Sequence, residues 1–397
     1  MANDVWNIKT DLRIQYGKTV SGTLTWYDIV ADSYEVNIDR GINVEEQVFA
    51  RPDIGVATVN LDKSSLSDFT QGTDYKSNMP FRIAYRPKPD TASSIWYTIF
   101  YGFIQNVSMN YNVDSHKLRI SITANDTTKI MLNARLSTFD ITGNSTQRSF
   151  RPVMNDLATA IAAVDNRVSL NQSSSAGLKG GSTIQWANSW IDTQAGEILN
   201  MLLDAELGWS YAQRSGANQF WLTRLDIDAL QATAWSSSNP TVSNIHSNSV
   251  LHYCMNAIDL SYDSDQLVNS AKVTEVVSTP ASDKTKKNTT SISTYGEHTN
   301  NYEITMDVGA SPYTAMSNWA QAVVDAADPK QIKSVECPAI RRDGTVSEVA
   351  DTEIAETLQV EFSDGTNTFQ QVLLVKRIRH HISVDHWSVG IELWKGI

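Results

Sequence analysis

The chain has 397 residues, of which 41% are hydrophobic and 19% charged, and this composition excludes a disordered or fibrous protein. The length suits two to four domains of ordinary size. The formal net charge of −12 argues against a surface built to bind nucleic-acid phosphates. The sequence contains no run of 18 or more apolar residues, so no membrane span is predicted. We expect a protein of an aqueous, reducing compartment.

The first third of the chain has the alternation of apolar and polar residues that is typical of antiparallel strands. One face of such a strand is buried and the other is wet. The apolar members of the two clearest runs are Ala57, Val59, Leu61, Leu118, Ile120, Ile122 and Ala124.

The pattern changes to helical spacing after residue 126. Arg151-Pro152 opens a predicted amphipathic helix, since proline is tolerated at the first helical position. A Ser/Gly-rich loop follows at residues 173–181. A second helix is predicted with Asp192 or Thr193 as its N-cap and Gly208 at its end. The apolar stripes of the two helices are Val153, Leu157, Ala160, Ile161 and Val164, then Ile198, Met201, Leu202 and Ala205.

A hairpin from Trp209 to Arg224, turning at Ser215-Gly216, closes this middle segment. Strand alternation then returns, with Ile258, Leu260 and Tyr262 opposed to Asp259, Ser261 and Asp263. A third helix is predicted from the cap Ser311 and Pro312 to Pro329, with an apolar stripe of Met316, Trp319, Ala320, Val323 and Val324. The final strands contain Leu358, Val360 and Phe362, an Asp364-Gly365 turn, and Trp387, Val389, Ile391 and Leu393.

The sequence therefore predicts a mainly β protein with α+β elements. A first β domain covers residues 1–130, a helix-plus-hairpin domain covers 131–247, and a second β domain covers 248–397 with one helix at about 312–327.

No catalytic, cofactor-binding or metal site is predicted. Glu45-Glu46 are neighbours on a strand and point to opposite faces, so we interpret them as a solvated strand edge. His380, His381 and His386 gather near the C-terminus with only Asp385 nearby, so we expect His381 to pair on a terminal strand and the other two to contact a neighbouring subunit. No nucleophile elbow, phosphate loop or dinucleotide fingerprint appears, and we predict a protein that is not an enzyme.

Three other residue groups are given structural interpretations. Cys254 and Cys337 are too far apart in sequence to specify a disulfide framework or zinc site, and are predicted to be buried thiols. The basic run Lys284 to Lys287 is predicted to be a solvated loop. Of eleven tryptophans, Trp209, Trp221, Trp319 and Trp387 are assigned to packing, although exposed aromatics would also suit a glycan-binding protein.

A series of short phrases, in order along nearly the whole chain, resembles the tail hub and minor tail proteins of long-tailed bacteriophages. Two positions depart from the family's pattern: Ile42 stands where the family usually has a second basic residue, and Lys63 stands where it usually has Asn. The phrases are Tyr27-Asp-Ile-Val30, Ile38-Asp-Arg-Gly41 with its Arg-Gly turn, Gly55 to Asp62, Trp96-Tyr97 with Phe100 to Ile104, Leu118 to Asp126, Leu203 to Trp209, Asn256 to Tyr262, Asn269 to Val273, Tyr295-Gly296, and Val375 to His380 before Trp387.

The resemblance implies two β-barrel-like tail-tube domains separated by the small helix-plus-hairpin domain. Three such chains would form a ring with six-fold pseudo-symmetry that caps the distal tail tube and joins it to the tail tip. The implied partners are two further copies of the chain, the tail tube or distal tail protein, the tape-measure protein, tip or fibre proteins, and DNA in transit. The implied location is the tail tip or baseplate of the virion, after assembly in the host cytoplasm and without membrane insertion.

Three alternatives stay open at this point. A distal tail or other minor tail protein would form a hexamer, and a tail tip protein would bind a receptor or glycan. The third is a cell-wall hydrolase module, for which the sequence shows no active site. We also expect residues 278–293 to form a mobile or partner-ordered loop, because they offer little apolar surface. The channel wall should be acidic or neutral, with Asp39, Asp259, Asp263 and Glu361 as candidate wall residues.

Overall fold

The computed structural model confirms a mainly β protein with α+β elements. Among the described helices, none combines the length and the hydrophobicity that a transmembrane span requires. The structure describes residues 11–45, 49–64, 74–86, 95–140, 148–170, 183–184, 189–222, 224–236, 239–244, 252–262, 267–275, 282–304, 312–325, 330–340 and 346–395.

Where the structure describes the first part of the chain, it forms eight strands. The predicted alternation is confirmed, because Val59 and Ile122 are opposite each other in an antiparallel pair and both are fully buried. The strands are β1 (Asp11–Val20), β2 (Thr23–Asp28), β3 (Ser33–Glu45), β4 (Phe49–Pro52), β5 (Val56–Lys63), β6 (Pro80–Arg86), β7 (Tyr97–Asn112) and β8 (Lys117–Asn125).

The described residues of the middle of the chain form four helices, short strands and the predicted hairpin. Its elements are α1 (Thr127–Asn133), β9 (Arg135–Asp140), β10 (Arg148–Ser149), α2 (Phe150–Val164), β11 (Ser169–Leu170), β12 (Thr183–Ile184), β13 (Ser189–Gln194), α3 (Ala195–Glu206), β14 (Trp209–Ala212), β15 (Asn218–Leu222) and α4 (Arg224–Gln231). The predicted stripes of α2 and α3 meet in one cluster, where Leu157 and Leu202 are fully buried. Val164 instead is 55% exposed.

The last part returns to strands and includes the predicted third helix, whose stripe is buried. Its proposed cap, Ser311, lies outside the described residues. The elements are β16 (Thr241–Ser243), β17 (His252–Cys254), β18 (Ala257–Tyr262), β19 (Ser270–Glu275), β20 (Ser282–Lys287), α5 (Thr289–Tyr295), β21 (Thr299–Ile304), α6 (Pro312–Asp325), β22 (Lys330–Pro338), a 3₁₀ turn (Glu348–Asp351), β23 (Thr357–Ser363), β24 (Thr368–Ser383) and β25 (Trp387–Trp394).

One continuous sheet connects the two ends of the chain. Its main path runs β17-β16-β23-β24-β3-β5-β8-β7-β6-β1-β2, and a branch runs from β24 through β25 and β22 to β18. The connection is the antiparallel pairing of β24 with β3, in which Ile382 is opposite Val36 and both are buried. The N-terminal and C-terminal strands therefore share one hydrophobic core.

The predicted N-cap of α3 was wrong. Asp192 and Thr193 lie in strand β13, and the N-cap is Gln194, which makes no side-chain capping bond. Arg135 on β9 holds the Asp192 carboxylate through Nε at 2.5 Å and Nη2 at 2.7 Å. Because Thr193 also pairs with Leu136 in the β13–β9 ladder, tertiary pairing extends the strand to the first residue of the helix.

The predicted loop at residues 278–293 was wrong for its described part, residues 282–293. Residues Ser282–Lys287, including the basic run, form strand β20 against β19, and helix α5 follows at once. Lys272 binds Asp283 at 2.9 Å, and Lys287 binds Glu297 at 2.6 Å. Helix α6, which is distant in sequence, packs on β19 and β20. This helix provides the apolar contact surface that the polar segment does not have itself.

The strand predicted around residues 258–262 is present as β18, but its apolar side chains are not buried throughout. A register shift between Asp259 and Leu260 interrupts the pairing of β18 with β22. The pairing skips Lys333, so the extra residue of this bulge lies in β22. In the described part of the chain β18 pairs with β22 alone, and Leu260 is 51% exposed and Tyr262 is 66% exposed.

Candidate functional site

Three of the phrases that resemble tail proteins meet at Asp126. Its carboxylate accepts from the backbone N–H of Thr128 at 3.0 Å and caps α1, while its own N–H donates to the carbonyl of Gly55 at 2.9 Å. A β-carbon on Gly55 would lie 2.2 Å from Asp126 Oδ2, and one on Gly102 would lie 2.2 Å from the carbonyl oxygen of Asn125. Both glycines are therefore required by close approach to the end of β8.

A fourth phrase supplies Arg40, a charged residue that is only 2% exposed. Its Nη2 donates to the carbonyl oxygen of Ala212 and to Oε1 of Glu353, each at 2.8 Å. Arg40 lies on β3, Ala212 ends the first strand of the hairpin, and Glu353 precedes β23. One guanidinium thus binds the first, middle and last parts of the chain.

The Arg-Gly phrase was wrongly assigned to a turn. Arg40 and Gly41 lie within β3, opposite Ile378 and Arg377 of β24. A β-carbon on Gly41 would lie 2.6 Å from Arg377 Cγ and 2.7 Å from the carbonyl oxygen of Lys376. The glycine is needed because β24 has a register shift there, which brings its backbone close to β3.

Arg214 extends the set of charges around Arg40. Its side chain forms an ion pair with Asp351, and its backbone N–H donates to Glu353 Oε2 at 3.1 Å. Burial raises the pKa of the neighbouring Glu356 carboxyl. Because Glu353 receives Arg40 on one oxygen and Arg214 on the other, this carboxylate is bound on both sides.

His380 completes the set, and the expectation that it contacts a neighbouring subunit was wrong. It is 4% exposed, and its Nδ1 accepts from Trp387 Nε1 at 3.3 Å. Burial, together with the charges of Arg40 and Arg214, lowers the pKa of His380 to about 3. A neutral imidazole therefore acts here as an acceptor. We call Arg40, Asp126, Arg214, Glu353 and His380 the junction cluster.

Asp126 is the member of the junction cluster whose carboxyl group has a strongly raised pKa. Burial raises its pKa to about 7, against the charge of Arg40 and the hydrogen bonds from Thr128 and Gly55, which lower it. Arg40 and Arg214 hydrogen-bond to groups from segments that are distant in sequence. The arrangement therefore fits a structural junction that fixes the relative position of those segments.

The other residues singled out in the sequence lie apart from the junction cluster. His381 Nδ1 is 2.6 Å from Asn37 Oδ1 across the β24–β3 pair, and its ring centre is 6.0 Å from that of His386. In the described part of the chain, no three His, Cys, Asp or Glu side chains are placed to hold a metal ion. Glu45 ends β3, and Glu46 lies outside the described residues.

The cysteine prediction holds for one residue of the two. Cys337 is buried, and burial raises the pKa of its thiol to about 12. Cys254 is exposed, because β17 is a short strand at the end of the sheet path and pairs on one side with β16. The four tryptophans assigned to packing are all buried, from Trp209 at 0% to Trp319 at 6% exposed.

The acidic residues considered for a channel wall differ in their surroundings. Asp39 accepts from Arg377 at 2.6 Å and from Arg379 at 3.1 Å, so its charge is compensated. Glu361 accepts from Gln370 at 2.6 Å. Asp259 is exposed on β18, and Asp263 lies outside the described residues.

Two strands at ends of the sheet carry exposed apolar side chains. In the described part of the chain, β2 pairs with β1 alone and β18 with β22 alone. Leu24 and Tyr27 on β2 are 40% and 39% exposed, and Leu260 and Tyr262 on β18 are more exposed still. Unpaired strand edges of this kind are sites where another chain can add.

The fold is that of phage tail proteins, as comparison with solved structures shows. No protein-family model matches the chain, and no curated protein matches its sequence. The structural likeness extends over nearly the whole chain, which excludes a resemblance confined to one domain.

Three solved structures illustrate the likeness, each at 10% sequence identity. A tail protein from Neisseria meningitidis gives a TM-score of 0.59 and covers 97% of this chain and 96% of its own. A 43 kDa tail protein of prophage MuSo2 from Shewanella oneidensis gives 0.56, with 97% of both chains covered. A prophage tail protein from Listeria monocytogenes gives 0.50, with 96% and 94% covered.

Proposed function

We propose that this chain is a structural, non-enzymatic protein of a phage tail, and that it acts as a trimeric hub that caps the distal end of the tail tube. The observation that carries the proposal is the end-to-end likeness to two tail proteins, with TM-scores of 0.59 and 0.56 and at least 96% of each chain covered. The proposed location is the tail tip or baseplate of the virion.

The proposed architecture is two tube-like β domains, residues 1–130 and 248–397, separated by the helix-plus-hairpin domain at 131–247. Three chains would then present six β domains to a six-fold tube. The pairing of β3 with β24 supports this arrangement, since it places strands from both β segments side by side in one sheet. The junction cluster would keep the two at a fixed angle when the tail is under load.

The open edges β2 and β18 are the proposed contacts between copies. An edge strand offers unpaired N–H and C=O groups, and a second strand can extend the sheet through them. Both edges carry exposed apolar side chains, which pairing would remove from water. The two edges are different, so the contact is head-to-tail, and such a contact forms a closed ring of three when it turns each copy by one third of a circle.

The proposed partners are the tail tube or distal tail protein above the ring, the tip or fibre proteins below it, and the tape-measure protein. DNA would pass through without being held, because the net charge of −12 opposes stable binding of phosphates. The proposal of an acidic or neutral channel wall rests on this net charge. Its candidate wall residue is Asp259, because the charge of Asp39 is compensated by two arginines.

Imaging of assembled particles tests the proposal. Electron microscopy of tails carrying a labelled copy of this chain should show three labels at the distal end of the tube. Six labels in a ring would instead identify a distal tail protein. Labels on fibres, together with binding of the isolated chain to a glycan array, would identify a receptor-binding protein.

A further inference from the structure

A cleft of about 310 Å³ lies where the first β segment meets the helical segment. Helix α1 forms one wall, the end of α2 a second, and the bulge of β7 at Gln105 a third. Its cationic lining residues are Lys129, Arg135 and Arg167. The proposed tail function gives this cleft no role so far, and the junction cluster reaches it through Asp126 alone.

The two arginines of the cleft are bound to carboxylates of the chain itself. Arg135 pairs with Asp192, and Arg167 pairs with Asp165 through Nε at 2.9 Å and Nη2 at 2.6 Å. Both guanidinium groups therefore have compensated charge. This leaves Lys129 as the cation whose partners decide what the cleft can bind.

Lys129 contacts two neutral amides in the described structure. Its Nζ donates to Gln105 Oε1 at 2.5 Å and to Asn125 Oδ1 at 3.2 Å. An ammonium group has three N–H donors, so one of them remains for a ligand. The lysine is half-buried, which weakens the competition of water for that donor.

The same contacts fix the direction of both amides. Because the carbonyl oxygens of Gln105 and Asn125 face Lys129, their NH₂ groups are the ends that remain for a ligand. The ammonium group of Lys129 and the NH₂ groups of these two amides are therefore the hydrogen-bond donors that this part of the cleft offers. A donor set of this kind selects an anionic acceptor, and a carboxylate matches it in size and charge.

We propose that this cleft binds an acidic side chain of a partner polypeptide, with Lys129 as the charged anchor and the amides of Gln105 and Asn125 as orienting donors. Val164, 55% exposed at the rim, suits an apolar residue next to the acid. A saccharide is disfavoured, because the aromatic ring of the cleft, Phe103, is 7% exposed and lies 5.2 Å below the guanidinium of Arg167. That ring has no open face on which a sugar could stack.

The occupant's class rests on the proposed assembly function, but the binding test does not. The full-length chain would be titrated with the blocked tripeptides acetyl-Leu-Glu-Leu-amide and acetyl-Leu-Gln-Leu-amide, with line broadening of the peptide signals as the measurement. We expect millimolar binding of the Glu peptide and about tenfold weaker binding of the Gln peptide. Lys129→Met should remove this preference, while Lys129→Arg should keep most of it.

Lys117→Met is the matched control, since Lys117 is an exposed lysine on β8 outside the cleft. It should leave binding of the Glu peptide unchanged. Equal binding of the two peptides, an unchanged preference in Lys129→Met, or binding of glucuronate but of neither peptide would each overturn the proposal. If the chain forms trimers but binds neither peptide, only the proposal on the cleft is refuted. If the chain stays monomeric but binds the Glu peptide, only the proposal of a trimeric hub is refuted.

Discussion

Arg40 and Glu353 are 313 residues apart in sequence, and their side chains are joined by a hydrogen-bonded ion pair of 2.8 Å. The arginine is almost completely buried, and the carboxylate is 14% exposed. Removing one partner of such a pair leaves the other as an uncompensated buried charge, which costs more than the pair itself contributes. The junction cluster should therefore be more sensitive to substitution than any surface ion pair of the chain.

Arg40→Met should lower the free energy of unfolding by about 3 to 5 kcal/mol, because Glu353 would keep only Arg214 as a cationic partner and the buried carbonyl of Ala212 would lose its donor. Arg379→Met is the control. Arg379 is half-exposed on the neighbouring strand and binds Asp39 and Glu392, and its loss should cost less than about 1 kcal/mol. Urea unfolding of both variants measures the difference. Equal costs would show that the buried pair is not a special element of the fold.

Asp126→Asn should change how stability depends on pH. The pKa of Asp126 is raised by burial to about 7 in the folded chain and is about 3.9 when unfolded, so the folded state binds more protons between these values. The stabilising contribution of the protonated acid is present below about pH 4 and is lost as pH rises to about 7. Relative to the wild type, the Asn variant should therefore gain about 2 to 4 kcal/mol over this range.

The comparison of Asp126→Asn with the wild type cancels the opposite contribution of His380, which both chains share. Asparagine can still cap α1, so the helix start is kept. Asp259→Asn, an exposed carboxylate on β18, serves as the control and should show no such trend. A pH-independent difference for Asp126→Asn would show that the buried carboxyl stays ionised across the range.

Gly41→Ala should destabilise the chain by about 1 to 3 kcal/mol, since the added methyl group would overlap Arg377 and the Lys376 carbonyl. Gly390→Ala is the matched control on β25. There the nearest atom outside the neighbouring residues is Arg379 Cβ at 3.8 Å, an ordinary contact. Thermal unfolding of the two variants should therefore separate them, and an equal effect would contradict the close approach of β24 to β3.

Leu260→Lys and Leu24→Lys should each prevent trimer formation and leave the monomer folded, because both side chains lie on open edge strands. Ile191→Lys is the control, as Ile191 is 74% exposed on β13 of the middle segment. Sedimentation measures the assembly state, and circular dichroism checks the fold. Trimers that persist in both edge variants would show that the copies meet elsewhere.

Local patterns in the sequence predicted most of the elements. The alternation that includes Val59 and Ile122 and the stripe around Leu157 were confirmed, because both depend on period and burial alone. Residues 282–287 were missed because their strand depends on pairing with β19, which no local pattern reveals. The exposure of Leu260 and Tyr262 was missed for a similar reason, since the place of β18 at an end of the sheet, paired with β22 alone in the described part, has no local signal.

The junction cluster could not be predicted as a cluster. Arg40, Arg214 and Glu353 come from three distant segments, and each alone reads as an ordinary surface charge. Gly55, Gly102 and Asp126 were noticed in the sequence as parts of phrases. Only the structure shows that the glycines leave room for the end of β8 and that the phrases meet there.

The mass of the particle that the purified chain forms, measured under native conditions, tests the hub proposal most directly. Each chain has a mass of 44.0 kDa, and the account predicts a complex of three copies. The Leu260→Lys variant should give one copy under the same conditions. A stable ring of six wild-type copies would contradict the account.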